Sequence, residues 1–527
     1  MGLIQPSLRD LKAEIMPDIV LTTINAKYIH ASFGLRYLLA NMGALKPKTV
    51  LAEFEIQQRA VDIVERLLLL EPVIVGIGVY VWNAALCAEV AHLLKRLRPE
   101  IILVLGGPEI SFETEQQTIT ASADYVITGE GDLKFAWLCS QILEGQRPSQ
   151  KIIPAELPNL AEIALPYDFY TDEDVAHRIV YVEASRGCPF TCEFCLSSLD
   201  VPVRQFPLER FLGALQKLLD RRVQHFKFVD RTFNLNITTS KSILEFFRER
   251  LRPGLFLHFE MIPDRLPEAL RELIARFPSG TLQFEVGVQT FNDAVSERIK
   301  RRQNNEKLAE NFQFLRQRTG VHIHADLIAG LPGEDWKSFG AGFDRLVQLD
   351  PQEIQVGILK RLRGTPIVRH DAAWAMVYNP NPPYEILRNK SLSFPELQRL
   401  RRFSRHWDLV ANSGNFVETK PLIWRGSDSP FDSFMALSGW LYQKAGRTHS
   451  IALPRLMELV FAFLTEFNAV PAVAAAATMW RDYQRAGRSD VPLFLRPHLP
   501  DERREVKPPS SQFPGRRQAR HMAVVAR

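Results

Sequence analysis

Three of the five cysteines, Cys188, Cys192 and Cys195, fall within eight residues in the segment RGCPFTCEFC at 186 to 195, while Cys87 and Cys139 stand alone. Thiolates at a three-residue and then a two-residue gap, on a flexible loop directly after a strand, can wrap one corner of an iron-sulfur cubane. One iron is then left without a protein ligand, and an open iron is a place for chemistry. A structural zinc site would want four closed ligands, the fourth being a histidine or a distant cysteine. Cysteines this few and this clustered are metal-site usage and not a disulfide framework, which places the protein in a reducing cytoplasm.

The remaining composition excludes several classes. A length of 527 residues suggests two or three domains, and 46% apolar with 24% charged residues is ordinary for a globular protein. Lys and Arg exceed Asp and Glu by only 65 to 60, which is no nucleic-acid footprint. The first residues lack the apolar core of a secretory signal and carry acids that a transit peptide avoids. Glu71-Pro72 and Glu466, Asn468 and Pro471 interrupt the longest apolar stretches, so neither reads as a membrane span.

The cysteine loop must be held by the elements around it. From 17 to 145, the runs DIVLTTI, TVLAEFEI, VIVGIGVYV, IILVLGG and ADYVITG alternate with amphipathic stretches, the pattern of a parallel sheet with helices on both faces. Its strand-end glycines fall where open α/β sheets bind ligands. A Pro-punctuated linker at 146–174 leads to six further strand candidates, from IVYVEAS to EIQVGILK, each followed by a helical stretch. This repeating unit predicts a partial barrel over 175–371 with its chemistry at the C-terminal strand ends. A mainly helical domain is expected over 372–499, closing over the barrel mouth, and a disordered Arg- and Pro-rich tail over 500–527.

The cysteine spacing, the aromatic Phe194 before the last cysteine and the six βα units resemble the radical S-adenosylmethionine (SAM) superfamily. The resemblance implies that a 4Fe-4S cluster on Cys188, Cys192 and Cys195 binds SAM at its open iron. Reductive cleavage of SAM then gives a 5'-deoxyadenosyl radical that abstracts hydrogen from a substrate. FVDRTFN (228–234) resembles the segment that contacts the methionine part of SAM, implying Asp230 and Arg231. FEVGVQTFN (284–292) implies Glu285 and Gln289 near the ribose or methionine. DLIAGLPGE (326–334) implies Ile328 at the adenine, and LKRLRGTPI (359–367) resembles the ending of the sixth strand beside it.

A Rossmann-like domain ahead of such a barrel resembles the cobalamin-binding branch of the superfamily, through LGGPEIS (105–111) and DYVITGEGD (124–132). This implies a cobalamin groove bordered by Gly78, Tyr80, Gly106, Gly107, Gly129 and Glu130, the paired glycines admitting the nucleotide tail. The family's Asp-x-His-x-x-Gly fingerprint for a histidine lower ligand is not matched: the loop reads Tyr28-Ile-His30-Ala-Ser-Phe33. His30 is therefore expected not to ligate cobalt. His322 and His324, on alternate positions of one strand, face one side together with Asp326. The resemblance implies an α/β enzyme, a cobalamin-dependent C-methyltransferase that acts on a small molecule and takes electrons from a flavodoxin or ferredoxin. Radical cyclisation or rearrangement, or a tRNA-modifying methylthiotransferase, are the alternatives. The last would require further N-terminal cysteines that this chain lacks.

Overall fold

The computed structural model describes residues 16–200, 202–500 and 517–522. In the N-terminal domain, strands β1 (Ile19–Asn25), β2 (Thr49–Glu55), β3 (Ile74–Gly78), β4 (Ile102–Gly106), β5 (Tyr125–Thr128) and β6 (Ile152–Pro154) form one parallel sheet in the order β2-β1-β3-β4-β5-β6. Every residue of β1 is buried because both faces are covered. Val20 and Ile24 point to one helical layer, Ile19 and Leu21 to the other. Strand β6 lies in the segment read as linker. Its three residues give no periodicity, yet Ile152 and Ile153 pair with Val126 and Ile127 and close the sheet edge.

The second sheet contains β7 (Val180–Val182), followed by the short ribbon of β8 (Ser185–Arg186) and β9 (Arg204–Gln205), then β10 (His225–Phe228), β11 (Phe256–Met261), β12 (Leu282–Gln289), β13 (His322–Ala329) and β14 (Glu353–Ile358). Its order, β14-β13-β12-β11-β10-β7, is that of a barrel left open between β14 and β7. The expected six-strand series is present, with every pairing in it parallel.

Both free edges are completed by side chains. On β7, the Tyr181 N–H donates to the Tyr170 hydroxyl at 3.0 Å, and that hydroxyl donates to the Tyr181 carbonyl at 2.9 Å. Tyr167 repeats the arrangement on Glu183, at 3.2 and 3.3 Å. On β14, the Asn412 carboxamide accepts from Ile354 N–H at 2.9 Å and donates to Ile354 O at 2.8 Å, while Ser404 donates to Val356 O at 2.5 Å.

The helical region shares one hydrophobic core with the barrel. The Phe394–Val410 helix runs beside β14 and buries Phe403 and Trp407, which meet Phe343 at centroid distances of 4.9 and 4.7 Å. It therefore packs on the barrel's side at β14, while just before it Asn389 donates to Gly330 O at 3.1 Å, past the C-terminal end of β13. What reaches the cysteine loop is the preceding segment: Ile367 N–H donates to Glu193 O at 2.9 Å. The tail also differs from expectation, since Arg517–Met522 form a short helix at the other end of the sheet. There Arg517 pairs with Glu353 at 3.1 Å and the His521 ring lies 5.4 Å from that of His322. A composition poor in apolar residues hid this because the docking is by charge and ring contact. No helix among the described residues is long and apolar enough to cross a membrane.

Asn412 is buried and satisfies both backbone groups of Ile354. Asn412→Ala should cost about 2 kcal/mol, because it strands a buried donor and acceptor together. The check is a lower urea midpoint for loss of the barrel, with the N-terminal sheet unaffected.

Candidate active site

The cysteine loop leaves β8 through Gly187, whose φ of +93° is open to glycine and whose missing Cβ would lie 2.7 Å from Asp200 O. Cys188 N–H donates to that same carbonyl at 3.0 Å, and Cys195 N–H donates to Cys192 O at 3.1 Å. All three thiols line one cavity of about 440 Å³ at the C-terminal strand ends. Burial pushes the thiols of Cys188 and Cys192 up, and at Cys192 this is opposed by Arg301, whose Nη1 lies 3.8 Å from Sγ. Three thiols bordering one cavity suit a cluster in which each thiolate takes a different iron.

Two residues that the sequence reading missed hold this loop. Glu193, between the second and third cysteines, is 3% exposed. Its carboxylate meets His370 Nε2 at 2.6 Å, Lys300 at 3.2 Å and Arg369 at 3.3 Å. Arg301, beside Cys192, also donates to Gly287 O. An acid inside a cluster loop needs cationic partners to be buried at all, and that is the signal that could have marked Glu193.

The residues implied for SAM divide into groups. Arg231, Glu285 and Gln289 line the cysteine cavity together with Phe194. Glu285 meets His258 Nε2 at 2.9 Å and Lys227 at 3.5 Å. Burial works to raise its carboxyl, but the His258 hydrogen bond and the Lys227 charge hold it well below the usual carboxylate range. Gln289 follows a register shift in β12, has φ +69°, and carries a buried Oε1 without a protein partner. Gln289 thus combines a left-handed backbone with a buried polar atom that no protein group satisfies, beside the cysteine cavity.

Asp230 is different. Its carboxylate is turned away from the cavity and accepts from Ala184 N–H at 3.0 Å and Ser185 Oγ at 2.6 Å, and burial pushes it up to about 7. It holds Ala184 and Ser185, just ahead of the cysteine loop, and its partners in this structure are the backbone and hydroxyl of that segment. Ile328 lines a neighbouring cavity with His324, whose Nε2 is 3.4 Å from Asp326 Oδ1. His322 is buried against Glu353 at 3.0 Å, and His324 Nδ1 lies 3.7 Å from the other oxygen of the same carboxylate, so the two histidines share Glu353.

Gly78, Tyr80, Gly106, Gly107, Gly129 and Glu130 all line a third cavity of about 460 Å³ between the N-terminal sheet and the barrel. A Cβ on Gly106 would have nothing nearer than 3.7 Å, so space is free there. Gly107 has a backbone reason as well: at φ +104° its Cβ would strike Val79 O at 2.6 Å. The Glu130 carboxylate is engaged across the domains by Arg186 at 2.7 Å and by Arg204. Arg186 also pairs with Asp132 at 3.0 Å and Glu183 at 2.8 Å, which ties the groove to the residues just before Cys188. His30 lies outside this cavity, with Nδ1 2.6 Å from the Tyr181 hydroxyl. Ser197 and Arg231 line both this groove and the cysteine cavity. Cys87 and Cys139 are buried in helices, and burial alone raises Cys139 to about 12, as inert small hydrophobes behave.

Comparison with known proteins divides the chain along the same lines. Residues 19–138 match the B12 binding domain, 182–346 the radical SAM superfamily, and 372–512 a protein family of unknown function, DUF4080. The uncharacterized methyltransferase PH0819 of Pyrococcus horikoshii is 24% identical over 334 residues, 58% of this chain and 70% of that protein. A tRNA-2-methylthio-N(6)-dimethylallyladenosine synthase of Acinetobacter baylyi is 24% identical over 291 residues, 52% of this chain and 59% of its own length. The cobalamin-dependent radical SAM methyltransferase TokK of Streptomyces tokunonensis is 24% identical over 336 residues, 55% of this chain and 48% of its own. The chain thus spans about half of the last two. Among solved structures, the radical SAM methyltransferase TsrM of Kitasatospora setae shares the fold at a TM-score of 0.56 with 17% identity, over 70% of this chain and 80% of that one.

Because Glu193 joins the cysteine loop to Lys300, Arg369 and His370, Glu193→Ala should loosen the loop without removing a thiolate. Iron should then be lost to a chelator roughly tenfold faster, as expected for about 1.4 kcal/mol of lost loop stability, while the far-UV spectrum stays unchanged.

Proposed function

We propose that this chain, a radical SAM protein with an N-terminal B12-binding domain, modifies an unactivated carbon of a small-molecule substrate by cobalamin-dependent methyl transfer. The observation that supports it is the shared wall: Arg231 and Ser197 border both the glycine-lined groove and the cysteine cavity, so ligands in the two would lie against each other. A substrate between them is within reach of both.

Cys188, Cys192 and Cys195 would hold a 4Fe-4S cluster, and Gly78, Tyr80 and Gly106 would border cobalamin. When bound, cluster and SAM supply hydrogen-atom abstraction, and cobalamin supplies the methyl group. The chain's own part is positioning and exclusion. Glu285, kept anionic by His258 and Lys227, offers an acceptor to ribose hydroxyls or an ammonium group. The unpaired Gln289 Oε1 offers a second acceptor. Arg231 is held by Glu260 at 3.0 Å and gives the shared wall a fixed positive charge. Asp230 acts at one remove, by fixing Ala184 and Ser185 ahead of the loop.

The reading entails an external electron donor of the flavodoxin or ferredoxin kind and a reducing compartment such as the cytoplasm, to which the five free cysteines are suited. Radical cyclisation or rearrangement would use the same cavities. The methylthiotransferase reading has less support, since only three cysteines of the chain stand together.

Anaerobic reconstitution should give about four irons per chain and slow release of 5'-deoxyadenosine from SAM. Alanine at Cys188, Cys192 or Cys195 should abolish that release, and a single variant that retained it would refute the cluster assignment. The protein should also bind about one equivalent of cobalamin. His30→Ala should leave affinity and absorption spectrum unchanged, because His30 faces Tyr181; a spectral shift would place it on cobalt.

A further inference from the structure

The largest of the three cavities, about 1040 Å³, runs along the free edge of β14 against the Phe394–Val410 helix. Phe194 and Leu362 line both this cleft and the cysteine cavity, so the two spaces adjoin. Its volume matches the upper range of small-molecule sites.

Its walls are strongly basic. Lys360, Arg401, Arg402, Arg405 and Arg517 face two carboxylates, Glu385 and Asp408. Arg401 pairs with Glu385 at 3.0 Å. Asp408 is shared by Arg517 at 2.6 Å and Arg405 at 3.5 Å. That leaves Lys360 and Arg402 with no carboxylate partner among the described residues, Arg402 lying over the Tyr442 ring at 4.6 Å. Arg401 and Arg405 are one helical turn apart, a like-charge spacing that costs free energy unless a counter-charge is nearby. The field is felt inside the helix as well, where burial and the charges of Arg402 and Arg405 hold His406 down at about 4.

We propose that this cleft binds the acidic group, a carboxylate or a phosphate, of the substrate, with Lys360 and Arg402 as its principal contacts. The proposal rests on the radical SAM reading for the word substrate, and the cleft itself is independent of it. An anion held there reaches the cysteine cavity past Phe194 and Leu362. The helical region thus contributes recognition as well as cover for the barrel's side.

Equilibrium dialysis of the reconstituted full-length enzyme at low salt, with phenyl phosphate and with phenylacetate as probes, tests this. One saturable site per chain is expected for at least one probe, and the tighter of the two identifies the acidic group. Lys360→Gln/Arg402→Gln should weaken it at least tenfold, and each single variant should weaken it severalfold, so the result survives if the double variant folds poorly. Added salt should weaken wild-type binding. Absence of saturable binding, or equal binding by wild type and the variants, overturns the proposal. Deoxyadenosine release measured on the same preparation reports separately on the radical reading, since these contacts hold no cluster iron.

Discussion

Six parallel strands leave a barrel with two unpaired edges, and each edge carries backbone groups that must find partners once buried. Much of this molecule is arranged around that requirement. At β7 two tyrosine hydroxyls each act as donor and acceptor to one residue, Tyr181 within the strand and Glu183 just after it, taking the place of a seventh strand. At β14 a single carboxamide does the same at Ile354. A tyrosine or asparagine can match a strand edge at isolated points and leave gaps between them. The gap beside β14 is the basic cleft, and the space at the strand ends holds the cysteines.

The same openness explains why three domains meet there. The N-terminal sheet is joined to the barrel by Arg186, and again by Arg361 and Arg363, which pair with Glu113 at 3.0 and 3.1 Å. These bridges are partly buried and multidentate, the geometry in which ion pairs fix orientation more than they add stability. Gly364 shows how near the domains come, because a Cβ there would meet the Phe112 ring at 2.4 Å. Fixed orientation is what a reaction between ligands of two domains requires.

The sequence made legible what repeats or clusters. Runs such as VIVGIGVYV and VHIHADLIAG are rich in apolar residues and punctuated by glycine, and the cysteines declare themselves by spacing. Single side chains acting on distant backbone were not legible. Nothing near Asn412 marks it as a partner of Ile354, and YDFY at 167–170 reads as linker although two of its residues complete a strand edge. Asp230 sat in a matching motif, yet the motif does not reveal which way the carboxylate turns. Glu193 could be suspected as an acid between two cysteines, but its partners at 300, 369 and 370 are far along the chain and only the fold brings them beside it.

Edge completion by later residues also sets a timetable for synthesis. Ile354 receives its partner from residue 412, and Glu353 receives Arg517 from residue 517, far beyond the last barrel strand. At roughly 5 to 20 residues per second, a ribosome adds residue 412 only seconds after β14, and residue 517 later still. The N-terminal sheet can form early, because its six strands are complete by residue 154. The barrel cannot settle its last strand until the chain is mostly made. Its cysteine loop, bonded by Ile367 and His370, is in the same position. A nascent barrel therefore spends an interval with its last strand and its cysteine loop still lacking the partners that hold them in the finished fold.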